Sequence, residues 1–294
     1  MSEITENPKM KKQRKRPIGF YIASGWLSLI VFFSIFGSFL PLPSWNESDY
    51  EALGLKPFSS GHLLGTTMDG YDMLSGLING ARISVLVSVL SVGIGGTIGA
   101  VIGITSAYFR GRFDKFVVLL FNVMLSIPNL VLSLALISTF ASDTQDSNAS
   151  TTRRVVVLIV SLTIVIIPLV GRIARASTMQ WTSREFVLAS KSMGTENLTI
   201  IRKHILPNVA PAMLAIAFLA VGSVIIVEGS LALLGIGIPG GASWGSMLSS
   251  GRLNLEFSAH EVYLPSLAIA FTVISTNWFG DYVRNSLDKR EAKI

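Results

Sequence analysis

The chain has 294 residues, half of them hydrophobic and only 14% charged, with a formal net charge of +6. Soluble domains carry about 25% charged residues, so the composition excludes an ordinary soluble protein and puts most of the chain in lipid. No cysteine is present, which excludes a disulfide scaffold, a thiolate zinc site and a cysteine nucleophile.

A helix rising ~1.5 Å per residue needs about 20 apolar residues to cross ~30 Å of hydrocarbon. Six stretches qualify: 18–40, 82–108, 115–140, 155–176, 209–236 and 262–284. They predict an all-α integral membrane protein with little chain left for a soluble domain. Ahead of them lies a basic tail, 1–17, with Lys9, Lys11, Lys12, Arg14, Lys15 and Arg16. The first stretch is too long for a secretory h-region and enters Leu40-Pro-Leu-Pro43 without a small-residue cleavage site. It reads as an uncleaved anchor. Residues 41–81, rich in acids and turn formers, read as an external loop, and 285–294 as a cytoplasmic tail.

Within the core, 82–284, the second span carries Gly95, Gly99 and Gly103, a small residue at every fourth position. Such a face lets another helix approach closely, whether within this chain or across a subunit seam. Pro128 and Pro168 remove backbone hydrogen bonds and should bend the third and fourth spans. With the tail inside, 19 Lys and Arg lie on the cytoplasmic side and five outside, which predicts cytoplasmic termini. Topology therefore accounts for the positive charge without a nucleic-acid partner.

Between the fourth and fifth spans lies an insertion, 177–208, too patterned for a simple return loop. Thr182-Ser-Arg-Glu185 fits a capping box. Phe186, Ala189 and Met193 then recur at helical spacing, and Gly194 suits a left-handed helix end. Thr195 can cap a second short helix with Leu198, Ile201 and Ile205 on one face, and Pro207 stops it. Two short amphipathic helices, rigidly joined to their spans, would present one face to a partner.

Glu228 lies well inside the fifth span, where a charge is costly. It reads as a pathway lining or proton site, or as a carboxyl satisfied near the outer interface by backbone or Ser230. Asn277 is a further weak pathway candidate; Asp281 and Arg284 suggest an ion pair at the cytoplasmic end.

The insertion, Glu185-Phe-Val-Leu-Ala-Ser-Lys-Ser-Met-Gly194 with Ile205-Leu-Pro-Asn208, resembles the coupling loop of ABC importer permeases. The match is closest to the C-type subunit of the dipeptide/oligopeptide branch. It extends to His62-Leu-Leu-Gly-Thr66, Gly80-Ala-Arg-Ile-Ser84, Glu228 through Pro239, Ser243-Trp-Gly-Ser-Met-Leu248 and Gly280 through Asp288. Two departures stand out. Leu188 and Ser190 replace the family's glutamate and alanine around Ala189, and Thr67, Tyr71 and Gly76 replace an upstream Asp and two Arg.

The resemblance implies a type I permease fold and docking through Glu185, Phe186, Ala189, Met193, Gly194, Ile205 and Pro207. It also implies a homologous B-type permease, two ABC ATPase subunits and an extracytoplasmic peptide-binding protein, all at a bacterial or archaeal cytoplasmic membrane. The chain has no Gly-x-x-x-x-Gly-Lys-Ser/Thr loop and no catalytic or metal-ligand constellation. ATP and Mg²⁺ would then belong to the partner subunits. Nickel chelates, glutathione or another small solute could replace peptides. A self-contained ion-coupled transporter or a membrane-embedded enzyme would need features the sequence lacks.

Overall fold

The computed structural model describes residues 18–59, 61–140, 151–238 and 243–291. The basic tail 1–17 and Pro239 fall outside these residues. Helix α1 spans Ile18–Phe36, with a 3-10 turn at Gly37–Phe39. Then come α2 (Met73–Phe109), α3 (Gly111–Ser126), α4 (Asn129–Phe140) and α5 (Thr151–Thr182). The insertion supplies α6 (Glu185–Ser192) and α7 (Asn197–Ile200). Helices α8 (Leu206–Leu231), α9 (Trp244–Gly251) and α10 (His260–Glu291) complete the chain.

Among the described residues, five helical segments are long and apolar enough to cross a membrane, and a sixth if the bent pair α3–α4 counts as one span. The third span is thus broken rather than gently bent: α3 and α4 meet at 94°. The residue before a proline is pushed out of the helical region, and Ile127, before Pro128, is extended at φ −87°, ψ 128°. Pro168, by contrast, sits inside an unbroken α5.

Helix α2 starts at Met73, so residues 73–81, assigned to the loop by composition, are helical. Asp72 fixes that start by accepting the Ser75 amide at 2.8 Å, and its other oxygen lies 2.8 Å from His62 Nδ1. The glycine stripe faces α5. A side chain at Gly95 would begin 2.7 Å from the Thr163 carbonyl oxygen, and one at Gly99 2.5 Å from that of Ile167. Gly103 meets Gly171 in the same way. The stripe therefore closes a seam within this chain. Asp114 of α3 adds a bidentate pair to Arg175 of α5, at 2.6 and 2.7 Å.

Residues 40–59 and 61–72 fold into a cap over one end of the bundle. Thr66 is fully buried; its hydroxyl accepts the Leu55 amide at 2.9 Å and its carbonyl accepts His260 Nε2 at 2.8 Å. Glu261 accepts the Met68 amide at 2.8 Å and Asn254 Nδ2 at 3.1 Å. The cap is thus clasped to the start of α10.

Candidate functional site: the 183–206 insertion

The insertion sits at the end of the bundle opposite the cap and is packed into it. Val187, Ile200, Ile205 and Val209 are fully buried in one apolar cluster with Ile104 and Tyr108 of α2 and Ala174 of α5. Tyr108 Oη donates to Asn197 Oδ1 at 2.8 Å, and Lys191 Nζ lies 4.6 Å from the centre of the Tyr108 ring. Burial of Val187, Ile200 and Ile205, with the tyrosine bond to Asn197, fixes the insertion to α2 and α5 as a rigid element.

The Gly194 turn forms as expected. Gly194 has φ +78°; its amide bonds the Lys191 carbonyl at 3.0 Å, and the Thr195 amide bonds that of Ser190 at 3.1 Å. These two bonds make a Schellman ending. The capping box does not form. Thr182 Oγ1 instead donates back to the Met179 carbonyl at 3.0 Å, because α5 continues through Thr182. Arg184 and Glu196 occupy the cap positions of α6 and α7 without a side-chain cap bond, so Thr195 does not cap either.

Pro207 does not stop the second helix. A π-helical turn, Ile201–Ile205, joins α7 to α8, with the Leu206 amide reaching the Ile201 carbonyl. Pro207 then falls in the first turn of α8, where its missing N–H is tolerated, and Asn208 Nδ2 donates to the His204 carbonyl at 2.6 Å.

The face buried against the bundle is not the one that carries Phe186, Ala189 and Met193. Phe186 (42% exposed), Met193 (77%) and Leu198 (61%) point away from the bundle, as do Glu185, Ala189, Gly194 and Pro207. Ile205 alone of the expected docking residues is fully buried. Val187 and Ile200, which sequence spacing missed, are the anchors. Apolar residues occur on both sides of α6, so periodicity alone does not choose between them. The departures separate likewise: Leu188 is 50% exposed, whereas Ser190 is buried and donates to the Phe186 carbonyl at 2.8 Å.

Glu228 lies elsewhere, 2% exposed between α2, α8 and α9. Ser243 Oγ donates to its Oε1 at 2.7 Å and Ser84 Oγ to its Oε2 at 3.4 Å. Ser84 also accepts the Trp244 amide at 3.2 Å, and Trp244 Nε1 donates to the Leu77 carbonyl at 2.9 Å. Ser230 takes no part; it bonds the Ile226 carbonyl. Three of the motifs read from sequence therefore meet at one carboxyl, which clasps the start of α9. Asn277 is half-buried on α10 beside Gly222 of α8. Among the described residues, Asp281 and Arg284 are exposed and do not pair with each other. No group of three or more His, Asp or Glu among the described residues is arranged to hold a metal.

Residues 99–293 match the model of the binding-protein-dependent transport system inner membrane component family. The chain belongs to this family. The glutathione transport system permease protein GsiD of Pectobacterium atrosepticum is 29% identical over 272 residues, covering 92% of this chain and 86% of that protein. Its counterpart in Escherichia coli is 29% identical over 270 residues, covering 91% and 85%. A chain of the MetNI methionine ABC transporter, solved in inward-facing conformations, shares the fold. It has a TM-score of 0.59 and 19% identity, covering 73% of this permease and 97% of that chain. The protein is thus a multi-pass inner-membrane permease subunit of an ABC importer, built on the type I fold.

Proposed function

We propose that this permease carries small peptides inward and that the exposed face of α6 and α7 receives the ATPase subunits that drive it. The observation that carries this reading is a rigidly anchored insertion whose outward face holds Phe186, Leu188, Met193 and Leu198. An apolar face held out from a packed scaffold, beside Glu185 and Gly194, suits a partner groove better than solvent. ATP and Mg²⁺ would be held by two ATPase subunits, and solute would arrive from an extracytoplasmic binding protein into a cavity shared with a homologous B-type permease. On this reading both termini face the cytoplasm. ATP-driven closure of the ATPase pair moves the insertion as a unit, and the anchored spans exchange inward and outward access. That exchange requires the partners to bind the two states differently. Glutathione, the solute in the names of the relatives, is itself a tripeptide and is the second reading.

Affinity purification of the tagged chain in mild detergent, with partner identification and an ATPase assay, tests the assignment. Recovery of a second permease and two ATPase subunits is expected, with turnover stimulated by a solute-loaded binding protein. Loading that protein with a dipeptide or with glutathione separates the two solutes. A chain that purifies alone and moves solute without ATP would overturn the coupling role.

A further inference from the structure

Between the end of α1 and the first turns of α2 lies a cavity of about 380 Å³, with Ser38, Ser44, Trp45, Ser75, Asn79 and Arg82 in its lining. Ser75, Asn79 and Arg82 follow one another at i, i+4 and i+7, so they share one face of α2. Arg82 Nη1 donates to Ser38 Oγ at 3.0 Å, which uses one of the five N–H donors of a guanidinium. No carboxylate of the described residues lines this cavity. Ser75 is only 5% exposed, and its hydroxyl has no hydrogen-bond partner, a state that buried polar groups rarely keep. A cation, an amide and an unpartnered buried hydroxyl on one face, with no competing acid, form a donor set for an oxyanion.

The level of the cavity narrows the ligand. Ser38 lies at the end of the 22-residue apolar stretch Ile18–Phe39, a length of about 33 Å at helical rise, close to the hydrocarbon thickness. Arg82, bonded to Ser38, is therefore at the depth where lipid headgroups begin. Phe36 and Phe39 beside it are 48% and 82% exposed. Along α2 the same face continues into Leu86 and Leu90, 39% and 43% exposed.

We propose that this crevice binds the phosphate of a phospholipid headgroup in the leaflet opposite the 183–206 insertion, with the acyl chains lying along Leu86 and Leu90. A soluble oxyanion, such as the carboxylate of a transported solute, offers the same charge, but the apolar track leading away from the donors is complementary to a lipid tail. The inference rests on the membrane-spanning fold and not on the identity of the solute.

The test uses the permease complex, delipidated in mild detergent and titrated with dioctanoyl phosphatidylglycerol under native mass spectrometry. Saturable binding is expected. Arg82→Gln should weaken it about tenfold, the order of one hydrogen bond to a charged group. Ser75→Ala should weaken it by a similar factor, about tenfold, while leaving the fold intact, because it deletes only an unpartnered hydroxyl. Inorganic phosphate or a dipeptide at the same concentration should not displace the lipid. Binding by both variants equal to the parent would mean that Arg82 merely reaches the interface and would overturn the site. Displacement by the dipeptide or by phosphate would overturn the lipid assignment in favour of a soluble anion.

Discussion

Gly194, on the face proposed to dock, and Glu228, inside the bundle, should respond to substitution in opposite ways. Gly194 holds φ +78°, and nothing lies within 4 Å of where its side chain would begin. An aspartate there has room and incurs about 1–2 kcal/mol of left-handed strain, yet it puts a charge beside the exposed apolar face. Gly194→Asp is expected to insert and assemble its bundle normally while ATP-dependent transport is lost; uptake at the parental rate would sink the coupling assignment. Glu228 has the opposite character. Glu228→Gln keeps an acceptor for Ser243, whereas Glu228→Leu leaves the Ser84 hydroxyl without one and Ser243 with only the Ser246 hydroxyl, 2.9 Å away. The leucine variant should lose about 1–3 kcal/mol, seen as a lower melting temperature in detergent, and the glutamine variant much less. Equal melting of the two would show that the carboxyl does not clasp α9.

At the scale of elements, the seam between α2 and α5 is the tightest joint. Gly99 has no room for a larger residue, since a side chain there would begin 2.5 Å from a carbonyl oxygen of α5. Gly99→Leu forces the two backbones apart and should cost at least about 1–3 kcal/mol of overpacking. Retained melting temperature in the purified variant would place the seam elsewhere. The glycine spacing was legible in the sequence because a period of four is close to one helical turn. The break in the third span was legible only as a proline. Its angle depends on Ile127 leaving the helical region, which α3 and α4 then follow in separate directions. Leu198, Ile201 and Ile205 do not share the single face expected of them, for a definite reason. Leu198, Ile201 and Ile205 obey α-helical spacing, but the turn at 201–205 is wider. It brings Ile200, Ile205 and Val209, at spacings of five and four, onto the buried side.

Across the whole molecule, the cap clasped by Thr66, His260 and Glu261 and the insertion anchored by Val187 and Ile200 occupy opposite ends of one bundle. The apolar stretches made the architecture legible, since lipid imposes both length and helical structure. Contacts joining distant stretches, such as Glu228 with Ser84 and Ser243, were not legible. Each partner is an ordinary residue in its own segment, and only the fold brings them together. Tyr108→Phe tests the link between bundle and insertion. Loss of the bond to Asn197 should cost about 0.5–1.5 kcal/mol and raise protease cleavage within 183–206 while the rest of the bundle stays protected. Unchanged cleavage would show that the apolar anchors suffice. The wide turn at 201–205 carries one residue more than an α-helical turn needs, so the chain has a spare unit of length there. Deleting the exposed Lys203 would let the turn tighten and leave every downstream side chain on its present face. Deleting Leu214, also exposed but in regular helix, would instead swing one side of the deletion about 100° relative to the other, pulling Glu228 off its serines. Length changes in this permease should therefore be tolerated at 201–205 and rejected a few turns later.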